Sequence, residues 1–264
     1  MSAVRKTYKL FINGAYPRGE SGRVSELVRD GVSYWVCNAS RKDARDAVAA
    51  AQGASGSWAS QRQMLRGQIL YRAGEMLACR SDIEGGTEGA KRFVWWAGWA
   101  DKLSSVLSHS NPVSGFSNTT NFESAGVVTA LLDAENEEAF TVELCDAIGA
   151  ALCAGNTIVA VVPVKYAAQA LCIAETLSVS DIPAGCVNIL TSDQKECAVT
   201  VVSHGDVSVI DARAHATWGL SQLDVLEQSE AHMPRVNFNA WERDNHTRAS
   251  FGFDAKTTWQ PLYQ

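Results

Sequence analysis

ALCAGNTIVAVVPVKY, residues 151–166, is the segment that most directly indicates how this 264-residue chain folds. Its first half is typical of a helix that ends at Gly155, and the apolar run TIVAVV follows at once. A short, continuous apolar run beside a helix indicates a strand that is buried on both faces. The strand ends at Pro163 and Lys165, at the kind of sheet edge where α/β proteins hold ligands.

The same alternation of strands and helices continues on both sides of this segment. The predicted strands are 126–132, 156–162, 186–191 and 207–211. The predicted helices are 137–155, 167–178, 195–203 and a helix-like stretch at about 215–226. Apolar strands that alternate with amphipathic helices indicate a parallel sheet covered on both faces, and right-handed crossovers make it Rossmann-like. We therefore predict an α/β fold.

The N-terminal part of the chain is predicted to contain three helices. The first begins at Ser40, whose side chain suits an N-cap, and a break at 53–58 is expected to end it. Ser60 and Gln63 have the spacing of a capping box and predict the start of the second helix. The third is predicted over 88–107, with a tryptophan-rich face directed into the core. That face is predicted to comprise Trp95, Trp96, Trp99, Leu103 and Val106.

The composition excludes several classes of partner. The chain has 23 basic and 29 acidic residues, a net charge of −6. Binding to nucleic acid or to an anionic membrane needs a concentrated basic face, so neither partner is expected. No apolar run approaches the roughly eighteen residues of a membrane span. The N-terminus turns polar too early for a signal peptide.

The seven cysteines and five histidines predict neither disulfides nor a metal site. No C-x-x-C pair occurs, and most cysteines lie in apolar runs, which is typical of reduced, buried thiols in a cytoplasmic protein. The histidines are scattered, whereas a zinc site needs clustered ligands. We expect a cytoplasmic protein without a bound metal.

The remaining segments divide the chain into three predicted parts. Residues 1–227 form the α/β unit, which includes an exposed β-hairpin at about 112–129. Residues 228–250 are polar and predicted to be an irregular linker. Residues 251–264 carry a C-terminal strand, predicted at Lys256–Trp259.

Several ordered motifs resemble the NAD(P)-dependent aldehyde dehydrogenases. They are FINGAY near the start, RGQILYRAGEML, the series AGVV, AALCAGNTIVAV, DIPAGCVNILT and SHGDV, and FGFDAKTTW near the end. Together they cover roughly residues 8–212 and 251–259. The resemblance implies the Rossmann-like cofactor-binding domain of that family, with the catalytic domain missing between about 228 and 250. The chain is similar to the truncated paralogues and to the non-catalytic domain of two-domain members.

The resemblance leaves no catalytic residue to assign. The family's nucleophile lies in a G-Q-x-C-type motif and its base in an E-L-G-G-type motif, and the sequence contains neither. Cys145, Cys153 and Cys186 are poor substitutes, because a reactive thiol needs a helix N-terminus or a basic neighbour. Asn136 is the only candidate for the oxyanion amide, but its acidic neighbours indicate a solvated loop or a helix start.

The positions that hold the cofactor in the family are degenerate here. Alignment on the G-N-T motif places Val161 and Val164 where the family has the lysine and glutamate that hold the ribose, and Lys165 is displaced. Valine supplies no polar partner to a hydroxyl group. Of the family's phosphate-binding turn only Gly219 remains, and 192–194 replaces a flexible G-x-G. We expect no cofactor, or NAD(P) only if the degenerate site still binds it.

Because the resemblance provides neither catalytic residues nor cofactor-binding residues, the remaining function that it implies for this chain is a role in assembly. In the family, strands equivalent to those near 116–129 and at the C-terminus form an oligomerisation unit. The main hypothesis is a catalytically incompetent structural or regulatory subunit that assembles with a full-length aldehyde dehydrogenase, or with itself, by strand addition. The alternatives are a degenerate NAD(P)-dependent oxidoreductase that acts with a partner's catalytic domain, and a poorly folding remnant.

Overall fold

The computed structural model describes residues 6–29, 31–108 and 113–262. Its strands are β1 Thr7–Tyr8, β2 Val24–Arg29, β3 Val32–Cys37, β4 Phe116–Ser124, β5 Val127–Leu131, β6 Thr157–Val162, β7 Val187–Thr191, β8 Val207–Asp211, β9 Arg235–Asn237 and β10 Phe253–Pro261. Its α-helices are α1 Arg41–Ala59, α2 Gln63–Ala78, α3 Gly86–Trp99, α4 Leu103–Leu107, α5 Glu137–Cys153, α6 Ala167–Ser178, α7 Lys195–Val202, α8 Gln222–Ser229 and α9 Thr247–Ser250.

The predicted parallel sheet is confirmed. It has five strands in the order β7-β6-β5-β8-β9, and every neighbouring pair is parallel. All six residues of β6 are buried, because helices cover both faces of the sheet. Side chains alternate between the faces. Val159 and Val161 pack in the cluster that contains α1 and α7, and Ile158, Ala160 and Val162 pack in the cluster that contains α2, α3 and α5.

The turn before β6 explains why Gly155 and Asn156 precede it. Gly155 has a φ of +83°, a conformation that side chains with a Cβ rarely adopt. Asn156 is fully buried and bridges two segments that are distant in sequence. Its Oδ1 accepts from the Gly126 N–H at 2.8 Å, and its Nδ2 donates to the Gly252 carbonyl at 2.8 Å. These residues therefore fix the entry to β5 and the approach to β10.

Two predicted helix boundaries are wrong. The break expected at 53–58 does not occur, because α1 continues to Ala59 and buries Trp58 completely. Gly53 and Gly56 of this helix lie on the surface. A glycine there destabilises the helix by only about 1 kcal/mol relative to alanine. The capping box expected at Ser60 and Gln63 is also absent: α2 begins after Arg62, and no side chain caps it.

The helix predicted over 88–107 forms as two helices, α3 and α4, separated at 100–102. Trp96 and Leu103 are buried as expected. Val106 is 52% exposed, so its assignment to the buried face is wrong. The hydrophobic periodicity continues across the turn at 100–102, so it does not reveal that the helix is interrupted there. Of the described helices, none has the length and apolarity to cross a membrane.

The interval 228–250 is more ordered than predicted. β9 pairs in parallel with β8 and supplies the fifth strand of the sheet, and α9 packs against α5. The prediction of an irregular segment is wrong at these two elements. Both are too short, at three and four residues, to give a readable hydrophobic period. The division of the chain into three parts stays a prediction.

The strand pairing predicted at about 112–129 also needs correction. β4 is a single strand that pairs antiparallel with β10 over its whole length, from Phe253 opposite Ser124 to Pro261 opposite Phe116. Residues 127–129 belong instead to β5 in the parallel sheet, and 109–112 lie outside the described residues. Pairing with a segment so distant in sequence leaves no local signal. The predicted strand Lys256–Trp259 lies within β10.

Candidate functional site

The candidate site is the carboxyl edge of the parallel sheet. Strand order reverses at β5, because the chain runs from β5 to β6 and β7 on one side and then crosses to β8 on the other. Ligands of open α/β sheets bind at such a switch point, beyond the carboxyl ends of the strands. Asp133 follows β5 at this point, and Asp211 ends β8.

Asp133 closes the crevice through its own contacts. Its Oδ2 accepts from the Thr217 hydroxyl at 2.8 Å, and its Oδ1 lies 2.7 Å from the Lys165 ammonium. Burial opposes ionisation of Asp133, but hydrogen bonds from Lys165 and Thr217 hold its pKa below the usual value. Lys165 is thus paired with Asp133. Groups on both sides of β5 are tied to each other across the place where a ligand would lie.

Both valines predicted to replace the ribose-holding residues are buried. Val161 is fully inaccessible inside β6, and Val164 is 4% exposed. Val164 packs with Val36 and Ala167 in a small apolar cluster beneath the N-terminal strands. The Val164 N–H donates to the Asp193 carboxylate at 3.0 Å. The Asp193 carboxylate therefore already accepts from the backbone N–H of Val164, the residue predicted to stand where the family has its ribose-binding glutamate.

Aromatic and charged side chains cover the rest of this edge. The Tyr166 ring stacks on Phe140 with centroids 4.2 Å apart, and its hydroxyl donates to the Ala134 carbonyl at 2.7 Å. Arg29, at the end of β2, makes a 2.8 Å ion pair with Glu137 in the first turn of α5. The positive end of the α5 dipole thus faces the chain's own carboxylate.

Gly219, which is predicted to be the remnant of the phosphate-binding turn, has a local role in the backbone. It has a φ of +64° and ends the 3₁₀ helix His215–Trp218. Its carbonyl accepts from the Lys195 ammonium at 2.8 Å. Taken with buried Val161 and Val164, the residues at this edge do not fit the polar contacts by which the resemblance implies that NAD(P) is held.

The thiols at the three candidate cysteines are not activated. Burial raises the pKa of Cys145 far above its usual value, and it raises the pKa of Cys153 and of Cys186 to about 12. A thiol with such a pKa is protonated at neutral pH and is a poor nucleophile. The prediction that the cysteines are buried is wrong for two of the seven, since Cys79 is exposed and Cys172 is half-buried.

Asn136 is the N-cap of α5. Its Oδ1 accepts from the Ala139 N–H at 2.8 Å, so of the two predicted alternatives, a solvated loop or a helix start, the structure has the helix start. Within residues 6–29, 31–108 and 113–262, no group of three or more His, Cys, Asp or Glu side chains is placed to hold a metal ion.

A buried ionic network lies beside this edge, and no diagnostic motif in the sequence predicts it. Arg248 on α9 is 9% exposed, and its Nη1 donates to Asp146 at 2.7 Å. Its Nη2 lies 2.9 Å from an Asp211 oxygen and 2.7 Å from a Glu143 oxygen. Arg248 thereby joins α9 to α5 and to the end of β8.

Two further arginines complete the network. Arg213 donates to Asp211 at 2.8 Å and also pairs with Glu143, while Arg92 donates to Asp146 at 2.7 Å. Burial opposes ionisation of Asp211, but Arg248 and Arg213 keep its pKa below the usual value. The one sequence signal is an arginine two residues after an aspartate at a strand end, which is too common to be diagnostic.

Fold and site together define an α/β protein of the Rossmann-like class whose ligand edge is occupied by its own side chains. A sequence model described as "Aldehyde dehydrogenase family" matches residues 20–237. The match covers most of the chain, and the chain belongs to this family.

Named relatives agree with this assignment. The chain is 27% identical over 227 residues to "Aldehyde dehydrogenase, cytosolic 1" of Elephantulus edwardii, across 76% of this chain and 44% of that protein. It is 27% identical over 224 residues to "Retinal dehydrogenase 2" of Homo sapiens, across 75% of this chain and 42% of that protein. The chain therefore spans about half the length of the curated relatives it matches.

Solved structures show the same fold. PnpE from Pseudomonas sp. WBC-3 aligns with a TM-score of 0.76 at 22% identity, over 88% of this chain and 50% of that one. An NAD⁺ complex of an aldehyde dehydrogenase from Bacillus cereus aligns with a TM-score of 0.72 at 22% identity, over 88% and 50%.

Proposed function

We propose that this chain is a catalytically incompetent subunit that assembles with a full-length aldehyde dehydrogenase, or with itself, by strand addition. The observation that carries the proposal is the contrast between a ligand edge filled by its own side chains and an exposed two-stranded sheet, β4–β10. Every residue of β10 after Phe253 is exposed. An isolated pair of strands is only marginally stable in water, so a partner strand would stabilise it.

The ladder identifies which edge of this sheet is available. Antiparallel pairs alternate between hydrogen-bonded and non-bonded positions. The Ala125 N–H donates to the Gly252 carbonyl, and the Leu262 N–H donates to the Gly115 carbonyl, so even-numbered residues of β10 face β4. The residues whose backbone groups face outward in the middle of β10 are Ala255, Thr257 and Trp259. Among the described residues, none of their backbone groups has a partner on that side.

The outer edge of β4 is less accessible. The Thr120 carbonyl accepts from the Ser108 hydroxyl at 2.9 Å, and the Phe116 N–H donates to the Val113 carbonyl at 3.1 Å. Two of the outward groups of β4 are therefore already engaged. The outer edge of β10 is the better place for strand addition, because an edge with unpaired N–H and C=O groups is a template for another strand.

Native mass measurement tests this assembly. The chain is mixed with a full-length aldehyde dehydrogenase, and a complex containing both chains, or an oligomer of this chain alone, is expected. Thr257→Pro removes one outward N–H and should prevent assembly, while Thr257→Ala keeps the N–H and should preserve it. A monomer that ignores such a partner contradicts the proposal, as does equal assembly of the two variants.

A second candidate function is a degenerate oxidoreductase that still binds NAD(P) and acts with a partner's catalytic domain. It is supported by the shared fold of the Bacillus cereus enzyme solved with NAD⁺. Titration with NADH distinguishes the two: a saturable fluorescence change favours this candidate, and no change at millimolar NADH removes it.

We also propose a cytoplasmic location. It is supported by a relative that is named as cytosolic and by seven cysteines that form no disulfide in the structure.

A further inference from the structure

Within residues 6–29, 31–108 and 113–262, the buried cation Arg66 has no anionic partner. It lies in the first turns of α2 and is 5% exposed. Its Nη1 donates to the carbonyls of Ala59 at 3.2 Å and Gln61 at 3.4 Å. Its Nε is buried and has no hydrogen-bond partner among the described residues, and Nη2 has none there either. Burial lowers the pKa of its guanidinium, as is usual for an uncompensated charge.

The unpaired atoms form the edge of the guanidinium that is best suited to a carboxylate. Nε and Nη2 donate in parallel, and together they match the two oxygens of one carboxylate group. Gly155 allows the guanidinium to lie here, because a Cβ at that residue would be 2.6 Å from Nη1. The edge left free is therefore held in place from the opposite side.

The start of α2 adds further donors beside Arg66. No side chain caps the helix, and within the described residues the backbone N–H groups of Gln63, Met64 and Leu65 have no acceptor. Uncapped N–H groups at a helix start favour an anion. Arg62, at the N-cap, is exposed and adds a second positive charge beside Arg66.

An open cleft of about 680 Å³ lies beside this helix start, and Gln63 and Arg66 are among the residues that line it. The cleft is lined by Arg62 and Arg66 on one side and by Phe122 and Phe253 on the other. Its acidic residue, Glu123, is already paired with Lys256. The net charge of the lining is thus positive, and its opposite wall is aromatic.

We infer that this cleft is a binding site for a carboxylate attached to a flat or apolar body. The carboxylate lies on Nε and Nη2 of Arg66 and is further stabilised by Arg62 and the first N–H groups of α2. The body packs against Phe122. The carboxylate comes from a small organic acid or from a side chain or C-terminus of an associated subunit. The site does not depend on the proposed assembly, because binding is measured on this chain alone.

Isothermal titration of the full chain with sodium benzoate, at constant ionic strength, tests the site. Saturable binding is expected, whereas benzamide, which has the same shape without the charge, should bind at least about tenfold more weakly. Equal binding of the two probes, or no saturable binding of benzoate, overturns the inference.

Variants identify the residues involved. Arg66→Lys keeps the charge but loses the paired donors, and it should weaken benzoate binding about tenfold. Arg62→Ala, on an exposed side chain, should weaken it about threefold, and Arg62→Glu more. Arg45→Ala, an exposed arginine on α1, should leave it unchanged. If Arg66→Lys does not fold, unchanged binding in Arg62→Glu still overturns the inference.

Native mass spectra distinguish the two sources of the carboxylate. If an associated subunit supplies it, benzoate competes and lowers the oligomeric mass in proportion to occupancy. If the ligand is a small acid, benzoate binds with no change in mass. Either result, obtained together with the benzoate preference, supports the site.

Discussion

The five-stranded sheet and the β4–β10 pair differ in how much of their surface is buried and in how many of their strand edges are paired. In β6 every residue is buried and both neighbouring strands are present. In β10 all residues after Phe253 are exposed, and β4 is its one neighbour among the described strands. The first region accounts for folding through burial of apolar surface. The second gains little from burial, which is typical of a surface that another chain completes.

The largest expected effect comes from the ionic network, which ties the short α9 to the main sheet. Arg248→Met leaves Asp146, Asp211 and Glu143 without their shared cation. Removing one member of a buried ion pair typically costs about 3–5 kcal/mol, and urea denaturation measures the free energy of unfolding. Arg243→Met, at an exposed arginine in the same interval, should change it by less than about 0.5 kcal/mol. A cost below about 1 kcal/mol for Arg248→Met would place the network outside the folded core.

The same network predicts acid sensitivity. The pKa values of Asp146 and Asp211 are lowered in the folded protein: burial opposes this, and Arg248 outweighs it. Depressed carboxyl pKa values contribute stability that is present above the unfolded value of about 3.9 and is lost as pH falls through the folded pKa. The urea midpoint should therefore fall steeply below about pH 4. Asp211→Asn should reduce that slope, and an unchanged slope would argue against the network as its source.

Two glycine substitutions, one at a packed position and one at an open position, test how tightly the helices pack around the five-stranded sheet. A Cβ on Gly149 in α5 would lie 2.4 Å from Cδ1 of Trp96, whereas a Cβ on Gly98 in α3 would meet nothing within 4 Å. Gly149→Ala should destabilise the protein by about 1–3 kcal/mol through overpacking. Gly98→Ala should stabilise it by about 0.4–1 kcal/mol, because it restricts the unfolded chain. Thermal unfolding measures both, and similar shifts in the two variants would contradict the packing described for α5.

The smallest expected effect on stability comes from a substitution in the exposed β4–β10 sheet. Trp259 is 50% exposed and meets Phe116 edge-on, with centroids 6.2 Å apart. Trp259→Ala should cost less than about 1 kcal/mol of folding stability, the range of a surface aromatic pair. The same change should reduce assembly measured by native mass. A loss of several kcal/mol would show that β10 contributes to the core and would remove the contrast between the regions.

Periodic elements were predictable and short ones were not. The strand TIVAVV and its flanking helices were recognised because their hydrophobic periods extend over several residues. β9 and α9 have no such period, and the partner of β4 lies more than a hundred residues away. At the candidate site, the valines at 161 and 164 were identified from the sequence. The contacts of Asp133 and Asp193 that fill the crevice were not, because they join segments brought together only by folding.

By itself, the sequence determined the α/β class and the positions of the long strands, and it predicted that Val161 and Val164 stand where the family has polar residues. These properties depend on local period and residue type, which can be read along the chain. Only the tertiary structure decided that Arg248 joins three acids and that one edge of the Arg66 guanidinium has no partner in the described part of the chain. Pairing of buried charge depends on distances between side chains that are far apart in sequence, and neither spacing nor composition records those distances.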